Sequence, residues 1–193
     1  IRNITDRRNA EKALLESGRF NQATLDALDA HLAVLDKDGK ILATNQAWRE
    51  FAELNEADWR AMSEGANYLA VCEAAAAKGD LDASRTLDGI REVIAALKTT
   101  WSFEYPCHSP TEKRWFMCRV TRFPGDGPVR VVVAHENITE RKQAEAWLTD
   151  SQQRLELATK SAHIGVWDWS VATNTLVWDT QMYELYGVRE KDF

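Results

Sequence analysis

Residues 129–142 read Val-Arg-Val-Val-Val-Ala-His-Glu-Asn-Ile-Thr-Glu-Arg-Lys, and within that stretch the sequence changes its period. Val129, Val131, Val133 and His135 fall on alternate positions and share one face of a predicted strand. Thr139 then opens a run rich in Glu, Lys, Gln, Arg and Ala that meets no Gly or Pro before Ala162. A strand is therefore predicted to pass into a long helix without a glycine hinge. The same junction has an earlier copy. Asn3-Ile4-Thr5-Asp6-Arg7-Arg8-Asn9-Ala10-Glu11 echoes Asn137-Ile138-Thr139-Glu140-Arg141-Lys142-Gln143-Ala144-Glu145 at an offset of 134 residues. Ala30-His31-Leu32-Ala33-Val34-Leu35-Asp36 echoes Ala162-His163-Ile164-Gly165-Val166-Trp167-Asp168 at an offset of 132. Two matches at nearly one spacing mark an internal repeat. It divides the chain into the end of one module with its connecting helix (1–29), a complete module (30–138), a second connecting helix (139–162) and the start of a further module (163–193). The chain is thus expected to be a piece of a longer tandem array.

Inside the complete module the pattern runs in a definite order. His31 to Asp36 and Lys40 to Thr44 flank Asp38-Gly39, a hairpin turn in which glycine accepts positive φ. Asn45 can cap a helix with Ala47, Trp48 and Phe51 on one face, and the stretch from Asn67 to Leu97 is helix-rich with a break near Gly79. Three strands follow. Trp101, Phe103, Tyr105 and Cys107 share a face of the first, Trp115 to Phe123 form the second, and Val129 to Glu136 the third. The order β-β-α-α-α-β-β-β predicts an α+β fold, one five-stranded antiparallel sheet with helices on one face.

Composition narrows the class. The 193 residues are 45% hydrophobic and 28% charged, with 9 Gly and 4 Pro, which fits a globular chain and excludes collagen-like or disordered sequence. A net charge of −6 argues against nucleic acid as a partner. No apolar run approaches the ~20 residues of a membrane span, so a cytoplasmic segment is expected. Cys72, Cys107 and Cys118 fit neither a C-x-x-C pair nor an even-numbered disulfide framework, and reduced thiols are expected.

The connecting helices carry an apolar stripe. Leu148, Leu155 and Ala162 recur every seven residues, and the same register in the first copy holds Leu14, Asn21 and Leu28. Two readings stand side by side: a surface helix packed on its own domain, or a parallel coiled coil that makes a homodimer through the flanking helices. The Thr at each helix start is expected to cap it by accepting a first-turn amide.

The stretch Asn137-Ile138-Thr139-Glu140-Arg141-Lys142 resembles the D-I-T-E-R-K signature that closes bacterial PAS domains and opens their signalling helix. Val34-Leu35-Asp36-Lys37-Asp38-Gly39-Lys40-Ile41 and Arg114-Trp115-Phe116 carry the same resemblance. Gly165-Val166-Trp167-Asp168-Trp169 and Met182-Tyr183-Glu184-Leu185-Tyr186-Gly187 look like the opening third of another PAS domain. The family's usual Asp before Ile-Thr is Asn in both copies, Asn3 and Asn137, so an ion pair there would become a neutral hydrogen bond. The resemblance implies a PAS fold, a sensory and dimerisation module, and a signal relayed through Asn137 and Thr139 to an output domain of the same chain. It implies a parent such as a two-component sensor histidine kinase, with a diguanylate cyclase as the alternative and a ligand-free structural spacer as a third reading.

For the pocket, strand alternation and the resemblance nominate Tyr68, Cys72, Phe103, Tyr105, Cys107, Phe116, Cys118, Val133 and His135. Thiolate and imidazole could serve a metal or redox centre, yet Cys is among the most buried residues without any chemistry, and an ordinary core is the leading reading. No metal site is assigned. Tyr68 stands where light-sensing flavin-binding PAS domains carry their reactive cysteine, which argues against a flavin-cysteine adduct. Residues 80–98 hold no histidine, which argues against haem. A small organic ligand stays open. His135-Glu136-Asn137-Ile138-Thr139 matches a phosphoacceptor H-E-x-x-T only superficially, because the histidine falls on a strand, and no catalytic motif is recognised.

Overall fold

The computed structural model describes residues 2–54, 60–109, 112–189 and 191. Contacts divide the chain into two units, 1–139 and 140–193.

The first unit opens with helix α1 (Arg2–Asp26), followed by β1 (His31–Asp36) and β2 (Ile41–Thr44). Gly39 sits between these strands at φ +81°, and a Cβ there would overlap the Leu69 side chain, so this turn needs glycine twice over. Asp36 Oδ1 accepts the amides of Asp38 and Lys40 and closes the turn. Three helices follow: α2 (Gln46–Leu54), α3 (Tyr68–Ala76) and α4 (Leu81–Ile94). Each has a side-chain cap. Asn45 Oδ1 accepts Trp48 N, Asn67 Oδ1 accepts Ala70 N, and Asp80 Oδ1 accepts the amides of Asp82 and Ala83. On α4 the buried positions Thr86, Leu87, Gly89, Ile90 and Val93 recur at helical spacing and turn one face inward. Gly89 lies so close to the Trp101 ring that a Cβ there would overlap it.

The strands β3 (Thr100–Pro106), β4 (Trp115–Arg122) and β5 (Arg130–Asn137) complete a five-stranded antiparallel sheet in the order β2-β1-β5-β4-β3. The last strand therefore lies at the centre, beside the first, as burial requires of its Val131 and Val133, both fully enclosed. The alternation read on β3 holds, with Trp101, Phe103 and Tyr105 half-buried and their neighbours exposed. Ala33, Leu35, Ile41, Trp48, Ile90, Val93, Cys118 and Val120 join those valines in one core between sheet and helices.

The second unit contains most of α5 (Thr139–Ser161), then β6 (Trp167–Ser170), β7 (Thr175–Trp178) and α6 (Thr180–Tyr186). Its β-β-α order repeats that of β1, β2 and α2. Asp179 caps α6 through Met182 N at 2.8 Å, as Asn45 caps α2 through Trp48 N. Gly187, at φ +66°, ends the helix in the left-handed conformation. Among the described residues no helix is long and apolar enough to cross a membrane.

Candidate functional site

Sheet order brings together what lies far apart in sequence. Pairing of β1 with β5 sets His31 opposite His135, and pairing of β4 with β5 sets Cys118 opposite His135 on the other side. From β3, Tyr105 reaches His135 Nδ1 at 2.7 Å; from the first residue of α3, the Tyr68 hydroxyl lies 3.2 Å from Nε2. A neutral imidazole offers one N–H and one lone pair, so one phenol donates to the ring and the other accepts from it. Burial holds His135 neutral, lowering its pKa to about 4, with nearby His31 adding to the effect. Burial likewise pushes both phenols up. At neutral pH the cluster carries no charge.

His31 is its unsatisfied member. Its ring packs on Phe51 at 4.4 Å and on Phe116 at 5.5 Å. Its Nδ1 is enclosed and has no hydrogen-bond partner among the described residues. Burial, with Arg114 nearby, lowers its pKa and keeps it neutral as well. Trp48 meets Tyr68 edge-on at 5.3 Å and donates from Nε1 to the Met62 carbonyl at 2.9 Å.

Three cavities adjoin this cluster. The first, about 100 Å³, is lined by His31, Trp48, Phe51, Met62, Tyr68, Tyr105 and His135. The second, about 290 Å³, lies against the same Tyr68, Tyr105 and His135 and extends to Cys72, Cys107, Thr86, Asp80 and Asp82. The third, about 490 Å³, shares His31 and Phe51 with the first and reaches Asp26, Glu50, Arg114, Phe116 and Asn137.

The nominated residues thus separate. Tyr68, Tyr105 and His135 meet directly; Cys72 and Cys107 edge the second cavity; Phe116 edges the third. Phe103 stacks between Trp101 and Tyr105, whereas Cys118 and Val133 are fully enclosed in the core and border none of the three cavities. Burial raises the thiols of Cys72 to about 11 and Cys118 to about 12, so both stay protonated, which is unfavourable for metal ligation. Among the described residues no group of three or more His, Cys, Asp or Glu could hold a metal ion. Sequence reading missed His31, Phe51 and Met62 as pocket residues and took Trp48 as core alone. The available signal was a histidine at the start of one strand and another near the end of its partner.

The two ends of the first unit are tied in by single side chains. Asn45, fully buried, accepts Leu32 N at 2.8 Å and donates from Nδ2 to the carbonyls of Leu25, Leu28 and Ala30 at 3.2, 3.0 and 2.7 Å. It thereby ties the segment that leaves α1 to the start of β1 and α2. At the other end the expected role of Thr139 is corrected. Its hydroxyl accepts Trp115 N on β4 at 3.0 Å and is directed to the sheet, while Asn137 Oδ1 accepts Thr139 N at 3.0 Å. A strand amide beyond the last ladder pair needs an acceptor more than a solvated first turn does. The earlier copy, Thr5, has a side chain outside the described residues.

A family model described as the PAS fold matches residues 25–143. The chain is 39% identical over 129 residues to an uncharacterized 104.1 kDa protein in the hypE 3' region of Rhodobacter capsulatus, a match covering 65% of this chain and 13% of that protein. It is 23% identical over 184 residues to the probable diguanylate cyclase DgcE of Escherichia coli K12, covering 94% of this chain and 16% of the cyclase. A third match is 36% identical over 59 residues to hybrid signal transduction histidine kinase A of Dictyostelium discoideum, covering 31% of this chain and 3% of the kinase. The chain therefore spans well under a fifth of each of these relatives.

Proposed function

The chain belongs to the PAS family of sensory and signalling modules, and on that premise we propose that residues 30–138 are an input domain. It reads a small organic ligand and relays its state through the 139–162 helix to an output domain of the same polypeptide. The observation that carries this reading is the junction at Trp115. Its N–H is held by Thr139 and its carbonyl by Ile138 N at 2.9 Å, so the strand next to Tyr105 and His135 is bonded directly to the start of α5. The third reading, a ligand-free spacer, is disfavoured by the unsatisfied His31 Nδ1 beside a cavity. Residues 163–193 are proposed to open a second module of the same kind, since β6, β7 and α6 repeat β1, β2 and α2 in order and in the cap. The segment is proposed to be cytoplasmic, homodimeric through its flanking helices and non-catalytic. A histidine kinase is the first reading for the output, and a diguanylate cyclase the second, favoured by the longest alignment.

Helix phase supplies the test. In the full-length protein, deleting two residues of α5 rotates the downstream chain by about 200°, while deleting seven rotates it by only about 20°. Output is read as phosphohistidine formed from ATP and cyclic dinucleotide formed from GTP, which also assigns the parent. The seven-residue deletion is expected to retain output and the two-residue deletion to reset it. Equal behaviour of the two would overturn the relay.

A further inference from the structure

The lining of the first cavity selects a ligand class. We propose that His31, Trp48, Phe51, Tyr68, Tyr105 and His135 form a cage for a neutral, planar, single-ring molecule with one hydrogen-bonding edge, a compound of the size of phenol or hydroxypyridine. The proposal rests on the sensory reading and adds to it what is sensed.

Size comes first. The cavity measures about 100 Å³, and an engineered apolar cavity of about 150 Å³ accommodates benzene. The smaller volume sets a single ring as the upper limit; a flavin or a haem does not fit, since ligands of that size need several hundred Å³. Shape comes from the walls, which are ring faces and edges on several sides: His31 on Phe51, Trp48 on Tyr68 and Tyr105 on His135. Such walls favour stacked and edge-on contacts with another flat ring. Charge is set by what the lining lacks. Among the described residues no Lys, Arg, Asp or Glu lines this cavity, and both histidines are held neutral by burial, so an ionised ligand would lose its hydration without a counter-charge in contact with it; Arg114, 6.0 Å from the Phe51 ring, stands outside the lining.

The hydrogen-bonding edge is called for by His31. Buried polar atoms are almost always paired, and Nδ1 of His31 is enclosed without a partner among the described residues. His135 makes the contrast: its two ring nitrogens are both engaged by phenols. The unpaired histidine and the paired one stand opposite each other across β1 and β5, so a ligand bonded to His31 would sit against the Tyr68-His135-Tyr105 chain.

The test uses the 193-residue chain and calorimetric titration with phenol, 2-hydroxypyridine, benzene and benzoate. The expected result is saturable one-to-one binding of phenol or 2-hydroxypyridine, with benzoate weaker by about tenfold or more, one charge-desolvation penalty's worth. His31→Phe keeps the ring contacts and removes the nitrogen; it is expected to weaken the polar probe by about tenfold, as for a lost buried hydrogen bond, and to spare benzene. Preference for benzoate, or equal binding of the polar probe by wild type and His31→Phe, would overturn the proposal. If none of the four binds, the ligand class falls. Mass spectrometry of the denatured, freshly purified chain then separates the two levels: another stoichiometric small molecule keeps the sensory reading, and an empty extract ends both.

Discussion

Thr139 holds the backbone N–H of Trp115 on its hydroxyl at 3.0 Å, while Ile138 returns a bond to the Trp115 carbonyl at 2.9 Å. The pair continues the β4–β5 ladder beyond Phe116 and Asn137, its last backbone pairing, and the residue that ends this extension is also the first residue of α5. A hydroxyl that the sequence assigns to the helix serves the sheet.

Thr139→Val leaves the Trp115 amide without its acceptor and is expected to destabilise the first unit by about 1 to 3 kcal/mol, the cost of a buried group left unsatisfied. Thr139→Ser restores the oxygen and should recover most of the loss. Urea unfolding followed by tryptophan fluorescence checks both variants, and a Val variant as stable as the native chain would remove the structural role of the hydroxyl.

Asn45 performs the matching task at the incoming helix, donating to three carbonyls while accepting two amides. Asn45→Asp keeps the two acceptor contacts but sets a carboxylate oxygen against the carbonyls of Leu25, Leu28 and Ala30. A loss of about 3 kcal/mol or more is expected, as for a buried charge without a counter-ion. Hydrogen exchange should rise first in the amides of residues 22–32, and protection unchanged there would contradict the assignment.

Gly89→Ala offers a signed test of packing. In an open helix the change gains roughly 1 kcal/mol, but here the new methyl meets the Trp101 ring, and overpacking costs about 1 to 3 kcal/mol. The net effect is expected to be destabilising in the native background and neutral or stabilising in the Trp101→Leu background. A double-mutant cycle by chemical denaturation reads the difference.

Much of this was legible in the sequence, and the limit is physical. Alternation placed Trp101, Phe103 and Tyr105 on one face, and the turn at Gly39 and the cap at Asn45 are local chemistry that neighbouring residues decide. Tyr105 and His135 could be nominated from their faces, and Tyr68 from the family resemblance. The lone histidine at 31 could not, because its meaning depends on lying next to β5, and the order β2-β1-β5-β4-β3 is a long-range property that no local spacing encodes. Thr139 misled for a related reason: its nearest needy amide in space belongs to Trp115, far away along the chain.

Acid should find the His135 cluster. The ring titrates at about 4 in the folded chain and near 6.5 when unfolded, so between those values the unfolded state binds more protons and stability falls as pH drops. The stabilisation is complete above about pH 6.5 and gone below about pH 4, a change on the order of 2 to 3 kcal/mol for this half-buried residue. His135→Gln keeps a donor and an acceptor for the two tyrosines and removes the titration. Urea midpoints at pH 7 and pH 4.5 should therefore differ less in the variant than in the native chain, and parallel losses would assign the acid sensitivity to carboxylates.

The helix stripe carries the last prediction. Leu148 and Leu155 lie seven residues apart on α5 and are 53% and 65% exposed. Exposed leucines at heptad spacing are what the coiled-coil reading requires of the seam. Leu148→Asp with Leu155→Asp sets two charges in that seam and is expected to shift sedimentation from dimer towards monomer. Because both positions belong to the second unit, the melting of the first unit should move by no more than about 0.5 kcal/mol, the usual scale for exposed sites. A dimer of unchanged affinity in the double variant would return the stripe to the surface-helix reading and place any self-association elsewhere on the chain.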